Sequence, residues 1–244
     1  LVRGCSCRGT AGFAHVSCLA EQAKILFAEA EENNLDPKVQ QAKWTRWHTC
    51  GLCEQEYVGV VRCALGWACW KTYVGRPETD SSRQLAFGVL GNGLQRACHY
   101  EDALSVRETE LSLMRRIGAD EEVIFAVQQN LAGTYRSLGR LDDCLRTQQD
   151  VYSRTLELYG EESPEALGTA NNYAVSLKDL SRFEETKSLL RKMMPVARRV
   201  LGEDDTLTLR IRWAYADALC RDPNTTLDDF REAATTLEET APTA

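Results

Sequence analysis

The sequence lacks the residues and motifs of several common catalytic and membrane-associated protein classes. It holds only three histidines in 244 residues, which makes a hydrolytic triad improbable. It contains no G-x-x-x-x-G-K-[ST] phosphate loop and no G-x-S-x-G nucleophile elbow. No apolar run reaches the ~18 residues that a membrane span needs, and no signal peptide is visible. A net charge of −7 disfavours nucleic acid and anionic membranes as partners. These absences favour an intracellular, cytoplasmic binding protein over an enzyme with its own nucleophile.

Cysteine, by contrast, is abundant, and five of the ten cysteines lie before residue 54. A disulfide framework would need an oxidising compartment, and nothing else in the chain resembles a secreted protein. The early cysteines are instead spaced as metal ligands, because pairs one to three residues apart can hold one ion from a single turn. Zinc prefers four such ligands in a tetrahedron. The pattern predicts zinc binding by Cys5, Cys7, His15, Cys18, Cys50 and Cys53, with His48 as an alternative ligand.

The segment "CSCRGTAGFAHVSCL" together with "CGLC" resembles the RING-CH (C4HC3) zinc finger of membrane-associated ubiquitin ligases. That family has C-x2-C, C-x-C, H-x2-C and C-x2-C in order, and the last three are present here. The resemblance implies that Cys5, Cys7, Cys50 and Cys53 share one zinc ion. It assigns His15 and Cys18 to a second site whose other ligands lie outside the chain. The family commonly has tryptophan where this sequence has Gln22.

The rest of the chain repeats with a period of about 42 residues. A small residue recurs as Gly91, Ala132, Ala174 and Ala216, at spacings of 41, 42 and 42. A glycine that ends the second helix of each unit recurs at 75, 118, 160 and 202, at spacings of 43, 42 and 42. Each unit reads as two helices, and acidic pairs open the second one, where they complement the helix dipole. Two independent markers with one period predict a helical repeat array.

These units resemble tetratricopeptide repeats of the kinesin-light-chain variety, over residues 79–244. The resemblance implies an all-α, tetratricopeptide-like helical-repeat superhelix, preceded by a small N-terminal zinc-binding RING-like lobe. We expect the finger with a helical insert at 1–57, a degenerate half-repeat or connector at 58–78, and repeats at 79–244. The chain begins on Leu1 rather than methionine, and we expect further sequence before Leu1 and after Ala244.

Such arrays bind extended peptides on the concave face that the first helices line. The repeat pattern assigns to this groove Asn92, Gln95, Gln129, Arg136, Asn171, Lys178 and Asp217. The alternative is that each is simply a solvated polar position. Two functions follow from these features. One is a zinc-binding interaction module that recruits a protein or peptide partner; the other is a RING-CH-type ubiquitin ligase that binds a ubiquitin-conjugating enzyme and selects substrate with its repeats. A third interpretation is a structural array with a finger that holds no zinc.

Overall fold

The computed structural model describes residues 1–7 and 13–238, and its regular structure there is helical apart from two isolated bridges, Val2–Ala14 and Thr49–Glu56. The described helices are α1 (Val16–Glu32), α2 (Pro37–Trp44), α3 (Gly59–Tyr73), α4 (Ser81–Arg96), α5 (Tyr100–Ile117), α6 (Glu121–Ser137), α7 (Leu141–Tyr159), α8 (Pro164–Asp179), α9 (Phe183–Val200), α10 (Thr206–Arg221) and α11 (Leu227–Glu238). A 3-10 turn, Thr45–Trp47, follows α2. The predicted all-α fold is confirmed. Within the described ranges no helix combines the length and apolarity of a membrane span.

The helices begin and end on local signals that the sequence carries. The side chains of Asp80, Ser163 and Asp205 each accept a hydrogen bond from a backbone N–H in the first turn of α4, α8 and α10. Such caps satisfy amide groups that have no partner inside the helix. At the other end, Gly118 has φ +67° and Gly202 has φ +100°, conformations that favour glycine. The predicted glycine stops are therefore confirmed at these positions.

The chain forms two compact units, residues 1–127 and residues from 128 onward. The first unit contains an aromatic cluster in which edge-to-face contacts join Phe27 to Trp44 and Tyr73, and Trp47 to Tyr73. The ring centroids of Phe27 and Trp44 are 4.8 Å apart. This cluster packs α1 and α2 against α3, in the same unit as the early cysteines. The division at residues 57 and 78 stays a prediction.

Helices α3 and α4 approach each other closely because glycines face the contact. A Cβ added to Gly93 would lie 2.9 Å from the backbone oxygen of Arg62, and one added to Gly66 would lie 3.1 Å from Leu90 Cα. Contacts this short leave no room for a side chain. The helix that precedes the first predicted unit therefore packs directly on the first helix of that unit.

The second unit has an apolar core built from the inner faces of α8, α9 and α10. Its fully buried members include Leu167, Leu190, Met193, Ile211 and Tyr215. The recurring small residues of the sequence pattern are buried as well, with Ala132 and Ala174 at 0% exposure and Ala216 at 1%. Small side chains recur at these positions because larger ones would hold neighbouring helices apart.

Candidate metal centre and first-helix face

Four cysteine thiols form a cluster in the first unit. The sulfur atoms of Cys5, Cys7, Cys50 and Cys53 all lie within 4.8 Å of one another, and Cys7 Sγ is 3.8 Å from Cys50 Sγ. The two contributing segments are joined by a hydrogen bond from the amide of Val58 to the carbonyl oxygen of Gly4, at 2.7 Å. The early and late cysteine pairs thus meet across more than forty residues of sequence.

Glycine at position 4 makes this approach of the two segments possible. A Cβ at Gly4 would lie 2.5 Å from Cβ of Val61, at the start of α3. Val61 belongs to a small buried cluster with Cys50, Tyr57 and Leu65, against which the other three cysteines of the group pack. The thiol cluster therefore sits on a packed apolar base.

The turn that carries Cys50 is arranged to hold a thiolate. The amide of Cys50 donates to Gln55 O at 2.9 Å, and the amide of Leu52 donates to Cys50 Sγ at 3.4 Å. Burial opposes ionisation of Cys50, but the backbone N–H groups of Leu52 and Cys53, together with the thiols of Cys5 and Cys53, outweigh it and lower its pKa to about 6. Cys7 behaves in the opposite way, because its contact with the Cys5 thiol raises its pKa to about 12. Four thiols this close cannot all ionise without a cation among them.

The sulfur geometry fits a tetrahedral zinc ion. Zn–S bonds of about 2.3 Å place the sulfurs of a tetrahedron roughly 3.8 Å apart. The observed Cys7–Cys50 separation is 3.8 Å, and no pair in the cluster exceeds 4.8 Å. A set of four thiols with no open position is the ligand set of a structural zinc site. The residues present therefore fit zinc.

The other two predicted ligands lie apart from this cluster. His15 and Cys18 are both exposed, on either side of the start of α1, with Nδ1 and Sγ 3.9 Å apart. Neither belongs to the four-thiol group. The alternative ligand His48 does not belong to it either, and its Nδ1 lies 3.0 Å from Thr49 Oγ1. His15 and Cys18 form a half-site of two ligand atoms, and their binding of a metal stays a prediction.

In the second unit, three of the predicted groove residues, Arg136, Lys178 and Asp217, take part in ion pairs between neighbouring first helices. Arg136 of α6 pairs with Asp179 of α8 at 2.5 Å. One repeat later, Lys178 Nζ of α8 lies 2.5 Å from Asp217 Oδ2 of α10. We call this surface the first-helix face of the second unit; it consists of Gln129, Arg136, Asn171, Lys178, Trp213 and Asp217. Each of its charged groups is paired with an opposite charge on an adjacent first helix.

Polar groups on this face are unevenly satisfied. Asn172 Nδ2 donates to Gln129 Oε1 at 3.4 Å, whereas Asn171 Oδ1 is buried without a hydrogen-bond partner. Burial opposes ionisation of Asp217, but hydrogen bonds from Lys178 and Arg221 outweigh it and lower the pKa of that carboxyl. An unpaired acceptor beside paired charges is a group that a ligand can satisfy.

The two predicted groove residues of the first unit have a different environment. Asn92 Oδ1 accepts a hydrogen bond from Arg107 Nη2 at 2.5 Å, so its amide oxygen is engaged within the fold. Gln95 is half-buried near the end of α4. The binding role of these two residues, like that of the second-unit set, stays a prediction.

Sequence reasoning missed Trp213, which is 56% exposed on α10. It stands three residues before Ala216, as Gln129 stands before Ala132 and Asn171 before Ala174. The amine of Lys178 lies 5.1 Å from its ring centroid, within cation–π range. The repeat pattern alone could have identified Trp213, because this residue occupies the same repeat position as Gln129 and Asn171, which were assigned to the groove.

Comparison with known proteins supports the repeats. A sequence model described as tetratricopeptide repeat matches residues 166–206. The Arabidopsis thaliana protein named KINESIN LIGHT CHAIN-RELATED 2 is 27% identical over 136 residues, which is 51% of this chain and 20% of that protein. The chain thus spans about a fifth of the length of that relative.

Solved structures show the same fold. A Podosopora anserina protein described as a kinesin light chain with nearly identical TPR-like repeats aligns with a TM-score of 0.59 at 17% identity, over 93% of this chain and 95% of that one. BtubC (BKLC) from P. vanneervenii aligns with a TM-score of 0.58 at 15% identity, over 93% of this chain and 73% of that one. The chain therefore carries tetratricopeptide-type repeats similar to those of kinesin light chains, a fold typical of protein–protein interaction.

Proposed function

We propose that this protein is a zinc-binding interaction module whose repeats bind a partner protein through an extended peptide. The observation that carries the proposal is the first-helix face of the second unit. That face combines charged side chains that are paired with neighbouring helices, the exposed Trp213 and the Asn171 Oδ1 atom, which has no hydrogen-bond partner. Exposed tryptophan is a common anchor of binding energy at interfaces, and free side-chain acceptors can receive the backbone N–H groups of a peptide.

The zinc lobe has a structural role in this proposal. Cys5, Cys7, Cys50 and Cys53 hold the ion, which supplies folding free energy to the two segments that carry these cysteines. All ten cysteines are free thiols, which supports an intracellular, cytoplasmic location. The proposed organisation is a finger at 1–57, a connector at 58–78 and repeats at 79–244.

Peptide selection tests the binding function. The full chain is used to select binders from a displayed library of randomised linear peptides, and their affinities are measured by fluorescence anisotropy. We expect Trp213→Ala to weaken the selected peptides at least about tenfold, which corresponds to ~1.4 kcal/mol. Trp67→Ala is the matched control, because Trp67 is 42% exposed on α3. Equal effects of the two substitutions, or no selected peptide at all, would refute the groove.

Metal content tests the zinc lobe separately. Purified protein should contain about one zinc ion per chain, and Cys50→Ser should lose it together with the fold of residues 1–57. Cys63→Ser is the control, because Cys63 is a half-buried cysteine outside the thiol cluster. Unchanged metal content in Cys50→Ser would show that these four cysteines are not the ligands.

A RING-CH-type ubiquitin ligase is the second candidate function. The observation that favours it is the grouping of the ligand pairs: the first and last cysteine pairs meet, and His15 and Cys18 stand together outside the cluster. This grouping matches the cross-braced order that the resemblance implies. The finger would position a ubiquitin-conjugating enzyme, and the repeats would select substrate. Stimulated discharge of ubiquitin from a panel of charged conjugating enzymes, lost in Cys50→Ser, would support it; absence of stimulation across the panel would reject it.

A further inference from the structure

A cavity opens between α6, α7 and α8 in the second unit, beside the first-helix face. Its volume is about 370 Å³. Gly133 lines it at the position that follows the recurring small residue, where the other repeats carry Asn92, Val175 and Asp217. Nothing lies within 4 Å of the place that a Cβ of Gly133 would occupy. The absence of a side chain at this position leaves that part of the cavity open.

A buried residue with an unsatisfied side-chain oxygen also lines the cavity. Gln148 of α7 is only 6% exposed, yet its Oε1 atom has no hydrogen-bond partner. In the repeat pattern Gln148 corresponds to Leu190 of α9, which is apolar, and to Arg107 of α5, which is paired with Glu110 and Asn92. A buried acceptor without a donor is unfavourable, and a donor that entered the cavity would satisfy it.

The lining of the cavity carries no uncompensated charge. Its one cation, Arg136, is paired with Asp179 at 2.5 Å. The other polar groups are amides, a hydroxyl and a thiol, from Gln129, Asn130, Gln148, Asn172, Ser176 and Cys144. A charged side chain would lose its hydration without gaining a free counter-charge, and an apolar one would leave Gln148 unsatisfied.

We propose that this cavity is a side-chain pocket for the primary amide of an asparagine or glutamine in the bound peptide. The amide NH₂ group donates to Gln148 Oε1, and the amide oxygen is left to accept from the polar lining. The inference rests on the proposed binding of an extended peptide to the first-helix face, and it specifies one residue of that peptide.

Two substitutions close the pocket in different ways. Gly133→Val fills the space with the side chain that Val175 presents one repeat later, and the open surroundings of Gly133 accept it. Gln148→Leu removes the acceptor and reproduces Leu190 of the next repeat. Gly88→Val is the control, because Gly88 is a helical glycine of α4 that also has nothing within 4 Å of its Cβ position and does not line the cavity. Circular dichroism checks that each variant is folded.

The test is the residue preference of peptides selected from a displayed library of randomised linear peptides. With the unmodified chain, the selected peptides should share an asparagine or glutamine at one fixed position, and its replacement by leucine should weaken binding by roughly tenfold. In Gly133→Val and Gln148→Leu this preference should disappear while the rest of the motif remains, and Gly88→Val should keep it.

Two results would overturn the pocket, and they differ in what they say about the proposed function. A shared motif with no amide position, or an amide preference that survives both pocket substitutions, refutes the pocket and leaves peptide binding intact. Failure of the unmodified chain to select any peptide refutes peptide binding and the pocket with it.

Discussion

The buried ion pair of α5 offers a sharp test of how this repeat is stabilised. Arg107 is 2% exposed and Glu110 is 5% exposed; Arg107 Nη1 donates to Glu110 Oε2 at 2.7 Å, and Nη2 donates to Asn92 Oδ1 at 2.5 Å. The corresponding positions of α9 are apolar, Leu190 and Met193. The variants to compare are therefore Arg107→Leu, Glu110→Met and the double variant, which introduce the apolar residues of α9.

The structure predicts strong non-additivity between these changes. Removal of one partner leaves the other charge buried, which typically costs about 3–5 kcal/mol. Replacement of a whole buried pair by apolar side chains is often neutral or stabilising by about 1–4 kcal/mol. Simple addition of the two single costs would make the double variant about 6–10 kcal/mol less stable than the unmodified chain. We expect it instead within about 1 kcal/mol of the unmodified chain, or above it.

The assay is urea unfolding followed by tryptophan fluorescence in a Trp213→Phe background. The four remaining tryptophans all lie between residues 44 and 70, so the signal reports on the unit that contains the ion pair. A double variant as unstable as Arg107→Leu would refute the reasoning, because it would show that the pair itself, and not the unpaired charge, sets the cost.

Acid should rescue the single variant Arg107→Leu. Burial outweighs the nearby Arg107 and already raises the pKa of Glu110 above its ordinary value. Loss of the cation raises this pKa further, and a raised carboxyl pKa favours the folded state at low pH, where the group is buried neutral. The deficit of Arg107→Leu should therefore shrink as the pH falls from neutral towards the pKa of a free glutamate. A deficit that stays constant over this range would show that buried charge is not its cause.

The effect of Gly91→Ala on stability should change sign between two backgrounds, which provides a further control. A Cβ at Gly91 would lie 2.6 Å from Arg107 Cζ, so alanine should destabilise the unmodified chain. In the Arg107→Leu, Glu110→Met background the guanidinium is gone, and alanine should stabilise by up to about 1 kcal/mol through its helix propensity. The same sign in both backgrounds would contradict the tight contact.

Two further substitutions test contacts within each unit. Gly93→Ala should destabilise by about 1–3 kcal/mol in thermal unfolding, because its Cβ would lie 2.9 Å from the backbone oxygen of Arg62; unchanged stability would show that α3 and α4 can separate freely. Lys178→Met should raise the pKa of Asp217 towards its ordinary value, as measured by carbon-detected NMR, because a donor that lowers it is lost. A lowered carboxyl pKa stabilises the folded state at pH values above the pKa of the unfolded chain, ~3.9, and this stabilisation is lost as the pH falls. Lys178→Met should therefore lose less stability in acid than the unmodified chain. An unchanged pKa of Asp217 in this variant would contradict the role of Lys178.

The sequence alone predicted what depends on neighbours along the chain. The period of about 42 residues, the buried small residues such as Ala174, the acidic openings of second helices and the glycine stop at Gly118 are all local patterns. Helix caps and apolar periodicity act over a few residues, so they can be recognised without knowing the fold. The ligand pairs around Cys5 and Cys50 are local patterns of the same kind.

The repeat pattern held more information than the first assignment of the groove used. Trp213 occupies the same repeat position as Gln129 and Asn171, and alignment of all units by their small residue would have placed it on the first-helix face. The predicted groove contained only amide and charged side chains, because these bind peptide backbones, and it therefore omitted Trp213.

Other features were decided only by the tertiary structure. Cys7 and Cys50 lie 3.8 Å apart, Arg107 donates a hydrogen bond to Asn92, and the unpaired Gln148 lines the same cavity as Gly133. Each of these features depends on how different segments of the chain pack together. Whether a polar side chain faces solvent, a partner or an empty cavity depends on distances between helices. Local propensities set where each helix begins and ends, but those distances follow from the packing of the whole unit.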